Sequence, residues 1–279
     1  MNLDKRSVKQ QAKAGGRRAR PWLERLARLG FLAKGLVYAT VGALALQAAF
    51  GVGGGTTDTQ GAVAVLARAP FGRALLALLS VGLVAYGLWR FVQAGTNPGG
   101  RSGAKGVVAR AGFVASGVIH FALAATAVGL LLGSGGGGGN TEQDLTARLL
   151  AAPFGRVLVG LVALAIVGAG VFQLIKAYRA DFRRALRTAE MSAAEETWAV
   201  RAGRTGYAAR GIVFALIGVF FGQAAVQADA SEARGLDGAL TALQRQTYGP
   251  YLLGGVAIGF VLYGVYMVVE ARYRDVYAE

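Results

Sequence analysis

Six apolar segments, each about 20 residues long, constrain this chain more than any other feature, because an α-helix of that length spans the roughly 30 Å hydrocarbon core of a bilayer. They lie at residues 30–50, 73–93, 109–133, 156–178, 206–227 and 250–271. In hydrocarbon a single spanning segment satisfies its backbone hydrogen bonds only as a helix. The sequence therefore predicts an all-α membrane protein with six transmembrane helices.

The six segments form three copies of one two-helix unit. Their first helices align without a gap, and four columns are shared: Arg28, Arg110 and Arg204; Gly30, Gly112 and Gly206; Phe31, Phe113 and Tyr207; Gly35, Gly117 and Gly211. The second helices align through Pro70-Phe71-Gly72, Pro153-Phe154-Gly155 and Thr247-Tyr248-Gly249, and then through Gly87, Gly170 and Gly264. We expect the glycines at 35, 117, 211, 87, 170 and 264 to be packing positions, because small residues let membrane helices approach closely.

Each unit contains an even number of spans, so all three copies have the same orientation. Parallel repeats of this kind predict a bundle with a pseudo-threefold axis along the membrane normal. We expect a disordered basic tail at 1–20 and one six-helix domain at 21–279, with repeats at about 22–95, 104–178 and 198–273. Short helices are expected between the two spans of each repeat, where cap-forming residues such as Asp58 precede amphipathic stretches.

The charge distribution predicts the orientation. The chain has a formal net charge of +15, yet the three segments within the repeats carry six arginines against six carboxylates. The whole excess therefore lies on the side of the two termini, and the positive-inside rule places that side in the cytoplasm. This distribution explains the basic character without a nucleic-acid partner.

The arginine-x-glycine-aromatic start, the Pro-Phe-Gly corner and the triplication resemble a bacterial family of membrane proteins of unknown function with a triplicated two-helix unit. The resemblance covers about residues 22–273, and the third copy departs from it with Thr247-Tyr248-Gly249. The resemblance implies a location in the bacterial cytoplasmic (inner) membrane and implies no chemistry.

Five basic residues are candidates for binding an anion or a lipid headgroup. Lys34 and Arg210 share a column with Ser116 and lie about 9 Å deeper than the first arginines of each repeat. A cation at that depth is either functional or extends back to the headgroups. Arg28, Arg110 and Arg204 are expected either to contact anionic lipids or to surround the mouth of an anion pathway.

Two further residues stand out in the apolar spans. Glu270, which aligns with Gln93 and Lys176, is expected to pair with Arg210, Arg272 or Lys34. His120 aligns with Tyr38 and Phe214, so its ring is expected to pack and to hydrogen-bond across helices.

Several classes of function are disfavoured. The chain has no cysteine and one histidine, so we expect no metal site and no cofactor. No arrangement of nucleophile, base and orienting group occurs, so we expect no enzyme. Two functions remain. One is a structural or accessory component that binds anionic membrane lipids or a membrane-protein partner, and the other is a channel or transporter for a small or anionic solute.

Overall fold

A computed structural model of the protein describes residues 3–97, 100, 102–133 and 141–275. Over these residues the chain forms nine α-helices: α1 (Leu3–Phe50), α2 (Thr59–Arg68), α3 (Gly72–Thr96), α4 (Gly103–Leu131), α5 (Thr141–Leu150), α6 (Gly155–Arg179), α7 (Ala193–Gln227), α8 (Leu236–Gln244) and α9 (Gly249–Tyr273). Residues 24–50 of α1, together with α3, α4, α6, α7 and α9, are long and apolar enough to cross a membrane. The predicted all-α fold with six spans is confirmed.

The first helix is longer than the span it contains. It begins at Leu3 and continues without a break into the first span, and the disordered tail expected at residues 1–20 stays a prediction. Lysine, arginine, glutamine and alanine dominate this segment, and all four favour helix. A stable span at its C-terminal side supplies the nucleus from which such a helix extends.

The short helices α2, α5 and α8 lie where they were expected, between the two spans of each repeat. We call this side of the bundle the hairpin end and the opposite side, where α1 enters the bundle and α9 ends, the terminal end. Asp58 caps α2 by accepting a hydrogen bond of 2.7 Å from the amide of Gly61. The hairpin end is therefore built of ordered helical elements.

A sharp corner joins each short helix to the following span. Phe71 and Phe154 adopt the left-handed conformation with φ of 60° and 61°. The next glycine is required because a Cβ atom on Gly72 would lie 2.1 Å from the carbonyl oxygen of Ala67. The same conflict exists at the other two corners, Gly155 and Gly249. The aromatic-glycine pair thus lets the two helices meet almost backbone to backbone, and it leaves the ring exposed.

Glycines pair across each interface between neighbouring repeats. A Cβ atom on Gly35 would lie 2.9 Å from the carbonyl oxygen of Gly264, and one on Gly211 would lie 2.9 Å from that of Gly170. At the third interface Gly87 faces Phe121 and the carbonyl of Gly117, and Gly117 faces the ring of Phe91. The six predicted packing positions therefore meet in three equivalent pairs around the bundle.

The packing within the repeats is unequal. Among the described residues, the second helix of each repeat packs on the first helix of the next, giving α3 on α4, α6 on α7 and α9 on α1. Within the first and third repeats, α1 packs on α3 and α7 on α9. Helices α4 and α6 of the middle repeat make no comparable contact. The ring of six helices is thus closed at five contacts and parted at the sixth.

An apolar core fills the hairpin half of the bundle centre. Five of the long helices contribute to it, with Val41, Leu83, Leu123, Val213 and Phe260 among its buried side chains. The residues three positions nearer the terminal end on the same helices are polar or aromatic: Tyr38, Tyr86, His120, Arg210 and Tyr263.

Candidate functional site

Polar residues from equivalent positions of all three repeats converge in the terminal half of the bundle. Three aligned columns contribute. The first helices supply Lys34, Ser116 and Arg210, and the second helices supply Arg90 and Gln173, with the apolar Met267 in their column, and Gln93, Lys176 and Glu270. Lys34 interacts electrostatically with Arg90, Lys176, Arg210 and Glu270. The pseudo-threefold arrangement therefore brings polar side chains from all three repeats into one region.

Tyrosines surround Lys34 and Arg210. Lys34 donates a hydrogen bond of 3.2 Å to the Tyr86 hydroxyl, and its ammonium lies 5.0 Å and 5.5 Å from the ring centroids of Tyr86 and Tyr263. Arg210 donates to the Tyr263 hydroxyl at 2.5 Å and lies 4.5 Å and 5.0 Å from the rings of Tyr263 and Tyr38. Because both cations contact Tyr263, one ring connects the first repeat with the third.

Two further cations bind tyrosine hydroxyls in the same region. Arg90 donates from Nε to the Tyr86 hydroxyl at 3.0 Å and from a terminal nitrogen to Gln93 Oε1 at 2.8 Å. Lys176 donates to the Tyr207 hydroxyl at 2.9 Å. We call Lys34, Arg90, Lys176 and Arg210, with the tyrosines at 38, 86, 207 and 263, the cation–tyrosine cluster.

The cluster carries more positive charge than its surroundings neutralise. Glu270, which is 2% exposed, accepts hydrogen bonds from Arg274 at 2.6 Å and from the Tyr266 hydroxyl at 2.9 Å. Its charge is therefore matched by Arg274, and the groups that contact Lys34, Arg90 and Arg210 are neutral: tyrosine hydroxyls and rings, and the Gln93 amide. Tyrosine rings attract cations through their quadrupole, but they supply no counter-charge.

Two buried donors in this region have no acceptor among the described residues. The Nε atom of Arg210 and the Nε2 atom of Gln173 make no hydrogen bond, although Gln173 is only 7% exposed. A buried donor without a partner costs about 1–3 kcal/mol. A negatively charged acceptor beside either donor would satisfy it and supply a counter-charge.

The predicted basic residues separate into two groups. Lys34 is 7% exposed and does not extend back to the headgroups, because Tyr86 on the neighbouring helix accepts its hydrogen bond. Arg28, Arg110 and Arg204 are exposed, and Arg28 pairs at 2.6 Å with Glu24 one turn away. The structure brings Lys34 and Arg210 together and leaves these three arginines on the surface.

Glu270 and His120 also differ in part from what was expected. The ion pair of Glu270 is with Arg274, not with Arg210, Arg272 or Lys34. The His120 ring packs against Tyr86 with centroids 4.4 Å apart. Its Nδ1–H donates to the carbonyl of Ser116 at 2.7 Å, within its own helix and not across helices.

Sequence reasoning missed Arg90, Lys176 and the tyrosines as site residues. Arg90 and Lys176 lie near helix ends, where basic residues ordinarily flank a span. The available signal was the alignment itself, because Arg90 shares a column with Gln173 and Lys176 shares one with Gln93 and Glu270. Polar side chains recurring at matched positions in apolar helices indicate a shared interior site.

The loop between α6 and α7 covers the cluster at the terminal end. Phe182, which is 3% exposed, packs against Tyr207 and Tyr266 with ring centroids 5.2 Å and 5.1 Å away. Leu186 of the same loop pairs with Arg274, and Arg187 reaches Glu24 at 3.2 Å. The loop is thus fixed to both ends of the domain.

A separate polar cavity of about 350 Å³ lies at the hairpin end. All three repeats line it, and its charged residues are Asp58, Glu142, Asp237 and Arg234. Thr126, on α4, lies six residues from His120 and contributes to its wall. The apolar core separates this cavity from the cation–tyrosine cluster.

Six spans in three like-oriented repeats, with basic groups buried in the bundle, define a multi-pass membrane protein built by triplication. The matches to known proteins follow the same three units. The chain belongs to the family described as Domain of Unknown Function (DUF1206), whose model matches residues 29–97, 111–180 and 205–274. The resemblance seen in the sequence is therefore confirmed.

The chain is also similar to a protein of Bacillus subtilis (strain 168) named "Uncharacterized protein YxxB". The two are 34% identical over 256 residues, which cover 91% of this chain and 92% of that protein. No solved structure matches the chain.

Proposed function

We propose that this protein is a non-catalytic membrane component that binds an anionic group in the cation–tyrosine cluster. One observation supports the proposal: Lys34, Arg90, Lys176 and Arg210 are gathered inside an apolar bundle, and the buried carboxylate beside them is paired with Arg274. Charges in hydrocarbon surroundings are costly unless they are matched. A phosphate or carboxylate would match them.

The chemistry of the cluster fits a phosphate group. Arg90 and Arg210 are planar donors suited to two oxygens, whereas Lys34 and Lys176 are compact charges. Such a group comes either from the headgroup of an anionic lipid or from a soluble anion. In either case the protein acts by holding the anion, in an accessory or structural role.

The experiment compares the wild type with Lys34→Gln/Arg210→Gln, purified in a neutral detergent. We expect native mass spectrometry to show phosphatidylglycerol retained by the wild type and lost from the double variant, with phosphatidylcholine retained by neither. Arg28→Gln/Arg204→Gln is the control, because it removes two exposed cations outside the cluster. Equal retention by wild type and the cluster variant, for lipid and for inorganic phosphate, would refute the proposal.

A channel or transporter for a small or anionic solute is the second candidate. The polar cavity at the hairpin end favours it, because that cavity and the cluster lie on opposite sides of the apolar core, as two access sites would. Flux of radiolabelled phosphate into liposomes tests it. Transport through the cluster requires that Lys34→Ala/Arg210→Ala abolish the flux. No flux with the wild type, or equal flux with the variant, removes this candidate.

We further propose that the protein lies in the bacterial cytoplasmic membrane with both termini in the cytoplasm. The support is the charge excess on the terminal side. Because the chain has no cysteine, single variants Ser102→Cys and Ser231→Cys can be labelled in intact cells with an impermeant maleimide. Labelling at position 231 alone agrees with this orientation, and labelling at position 102 alone reverses it.

Extraction in a mild detergent tests for a membrane-protein partner by co-purification.

A further inference from the structure

The middle repeat has a lateral opening where the other two repeats are closed. In the first repeat a Cβ atom on Gly30 would lie 2.5 Å from Tyr86 Cβ, and in the third one on Gly206 would lie 2.7 Å from Tyr263 Cα. A Cβ atom on the equivalent Gly112 would have no atom of the described residues within 4 Å, and the residue equivalent to the two tyrosines is Ala169.

A second contact is missing in the same place. A Cβ atom on Gly82 would lie 2.6 Å from Ala33 Cβ, and one on Gly259 would lie 2.3 Å from Ala209 Cβ. The equivalent residues of the middle repeat are Ala165 and Ala115. All four positions, Gly112, Ala115, Ala165 and Ala169, are exposed. We call the space they border the α4–α6 opening.

The other approaches to the cluster are covered by described residues. The loop bearing Phe182 closes the terminal end, and the apolar core lies toward the hairpin end. The three interfaces between repeats are closed by close-packed glycines, and the first and third repeats by the contacts just described. The α4–α6 opening is thus the approach to the cluster that the described residues leave uncovered, and it faces the bilayer.

Ala169, which occupies the position of the two tyrosines, lies at the same depth in the membrane as the cluster. Tyr86 and Tyr263, at the same aligned position, hold Lys34 and Arg210 through their hydroxyls. One turn from Ala169 is Gln173, whose buried Nε2 has no hydrogen-bond partner in the described part of the chain. Lys176 lies three residues before the end of α6, about 4.5 Å along the helix axis. The unsatisfied donor of Gln173 therefore lies beside the opening, and the cation of Lys176 lies between it and the membrane interface.

We propose that the α4–α6 opening admits an anionic phospholipid, whose phosphate reaches the cation–tyrosine cluster while its acyl chains stay between α4 and α6. This inference rests on the proposed function and names its ligand class. Both helices expose large apolar side chains, with Ile119 62% and Phe172 65% exposed. An apolar opening that leads to buried positive charge is complementary to a molecule with an anionic head and apolar chains.

The experiment restores the missing side chain. Ala169→Tyr places in the middle repeat the residue that closes the other two. Leu164→Tyr is the matched control, because its equivalents Val81 and Ile258 are exposed in the closed repeats. Gly112→Trp closes the opening from the α4 side, so the test survives if either closing variant does not fold. Each folded variant is titrated with phosphatidylglycerol in nanodiscs of neutral lipid, and separately with inorganic phosphate.

We expect each folded closing variant to bind phosphatidylglycerol at least tenfold more weakly than the wild type, and Leu164→Tyr to bind it equally. Unchanged lipid binding by a folded closing variant, with binding lost in Lys34→Gln/Arg210→Gln, overturns the lateral route and leaves the proposed function standing. If the Lys34→Gln/Arg210→Gln variant binds lipid and phosphate like the wild type, the proposed function itself has failed. A wild-type dimer that Ala169→Tyr converts to monomer would show that a second copy, not lipid, covers the opening.

Discussion

The first and third repeats bring their two helices into contact, whereas the middle repeat, built from the same unit, holds its helices apart. The difference rests on few side chains: a tyrosine and a glycine on the second helix of each closed repeat, both replaced by alanine in the middle one. The interfaces between repeats depend on a different set of glycines and are kept in all three places. One repeat can therefore open while the ring around it remains assembled.

The largest effect on stability is expected from Gly206→Leu, because this glycine lies where the two helices of a closed repeat touch. Gly206→Leu would push four carbons into the backbone of Tyr263, and we expect a loss of at least about 4 kcal/mol in the free energy of unfolding, above the usual cost of overpacking. Gly112→Leu, at the equivalent open position, should leave folding intact. Thermal unfolding in detergent measures both. Equal losses would mean that the middle repeat is closed like the others.

A smaller but still large effect is expected at the carboxylate that only the third repeat carries in its column. Glu270→Gln removes the negative charge that lies 2.6 Å from the buried Arg274 guanidinium, and we expect about 3 kcal/mol of destabilisation. Glu270→Gln/Arg274→Met should recover part of that loss. A double-mutant cycle of thermal stabilities measures the coupling, and a double variant as unstable as the sum of both single changes would show that the pair is not coupled.

The three interfaces between repeats should respond to alanine according to what each glycine faces. Gly35→Ala meets the backbone carbonyl of Gly264, whereas Gly117→Ala meets the ring of Phe91, which can move. We expect about 1–2 kcal/mol of destabilisation for the first and under about 1 kcal/mol for the second, since alanine also favours the helix. Unfolding temperatures compare them, and a reversed order would locate the tighter interface between the first two repeats.

The smallest effect is expected at the exposed arginines. Arg28→Gln removes an ion pair with Glu24 in which the arginine side chain is 45% exposed, and such pairs contribute under about 1 kcal/mol. Lipid retention should be unchanged. A loss of phosphatidylglycerol comparable to that of the Lys34→Gln/Arg210→Gln variant would move the anion site to the surface.

Much of the fold could be predicted from the sequence, because span length and aligned glycines are local or periodic features. The depth of Lys34 and Arg210 also marked them as candidates. Their burial could not be predicted in the same way, since it depends on hydroxyls of Tyr86 and Tyr263 that come from other helices. A lysine with no such neighbour would extend to the headgroups, which is the other alternative that its depth in the sequence permits.

The α4–α6 opening is harder to predict from the sequence. Ala169 in the column of Tyr86 and Tyr263 was visible in the alignment, but alanine is an ordinary residue in a membrane helix. Whether two helices separate at such a position depends on the sum of their contacts along the whole length. That sum cannot be predicted from any single residue of the sequence.

The interface between α1 and α9 has a consequence for synthesis. Translation produces the first span of this chain more than two hundred residues before the last, so α1 enters the membrane with one of its two partner helices still unmade. The α3–α4 and α6–α7 interfaces can form as the chain emerges, but the α1–α9 interface forms only when α9 arrives. Until then the Gly35 surface of α1 stays accessible to lipid and to the insertion machinery.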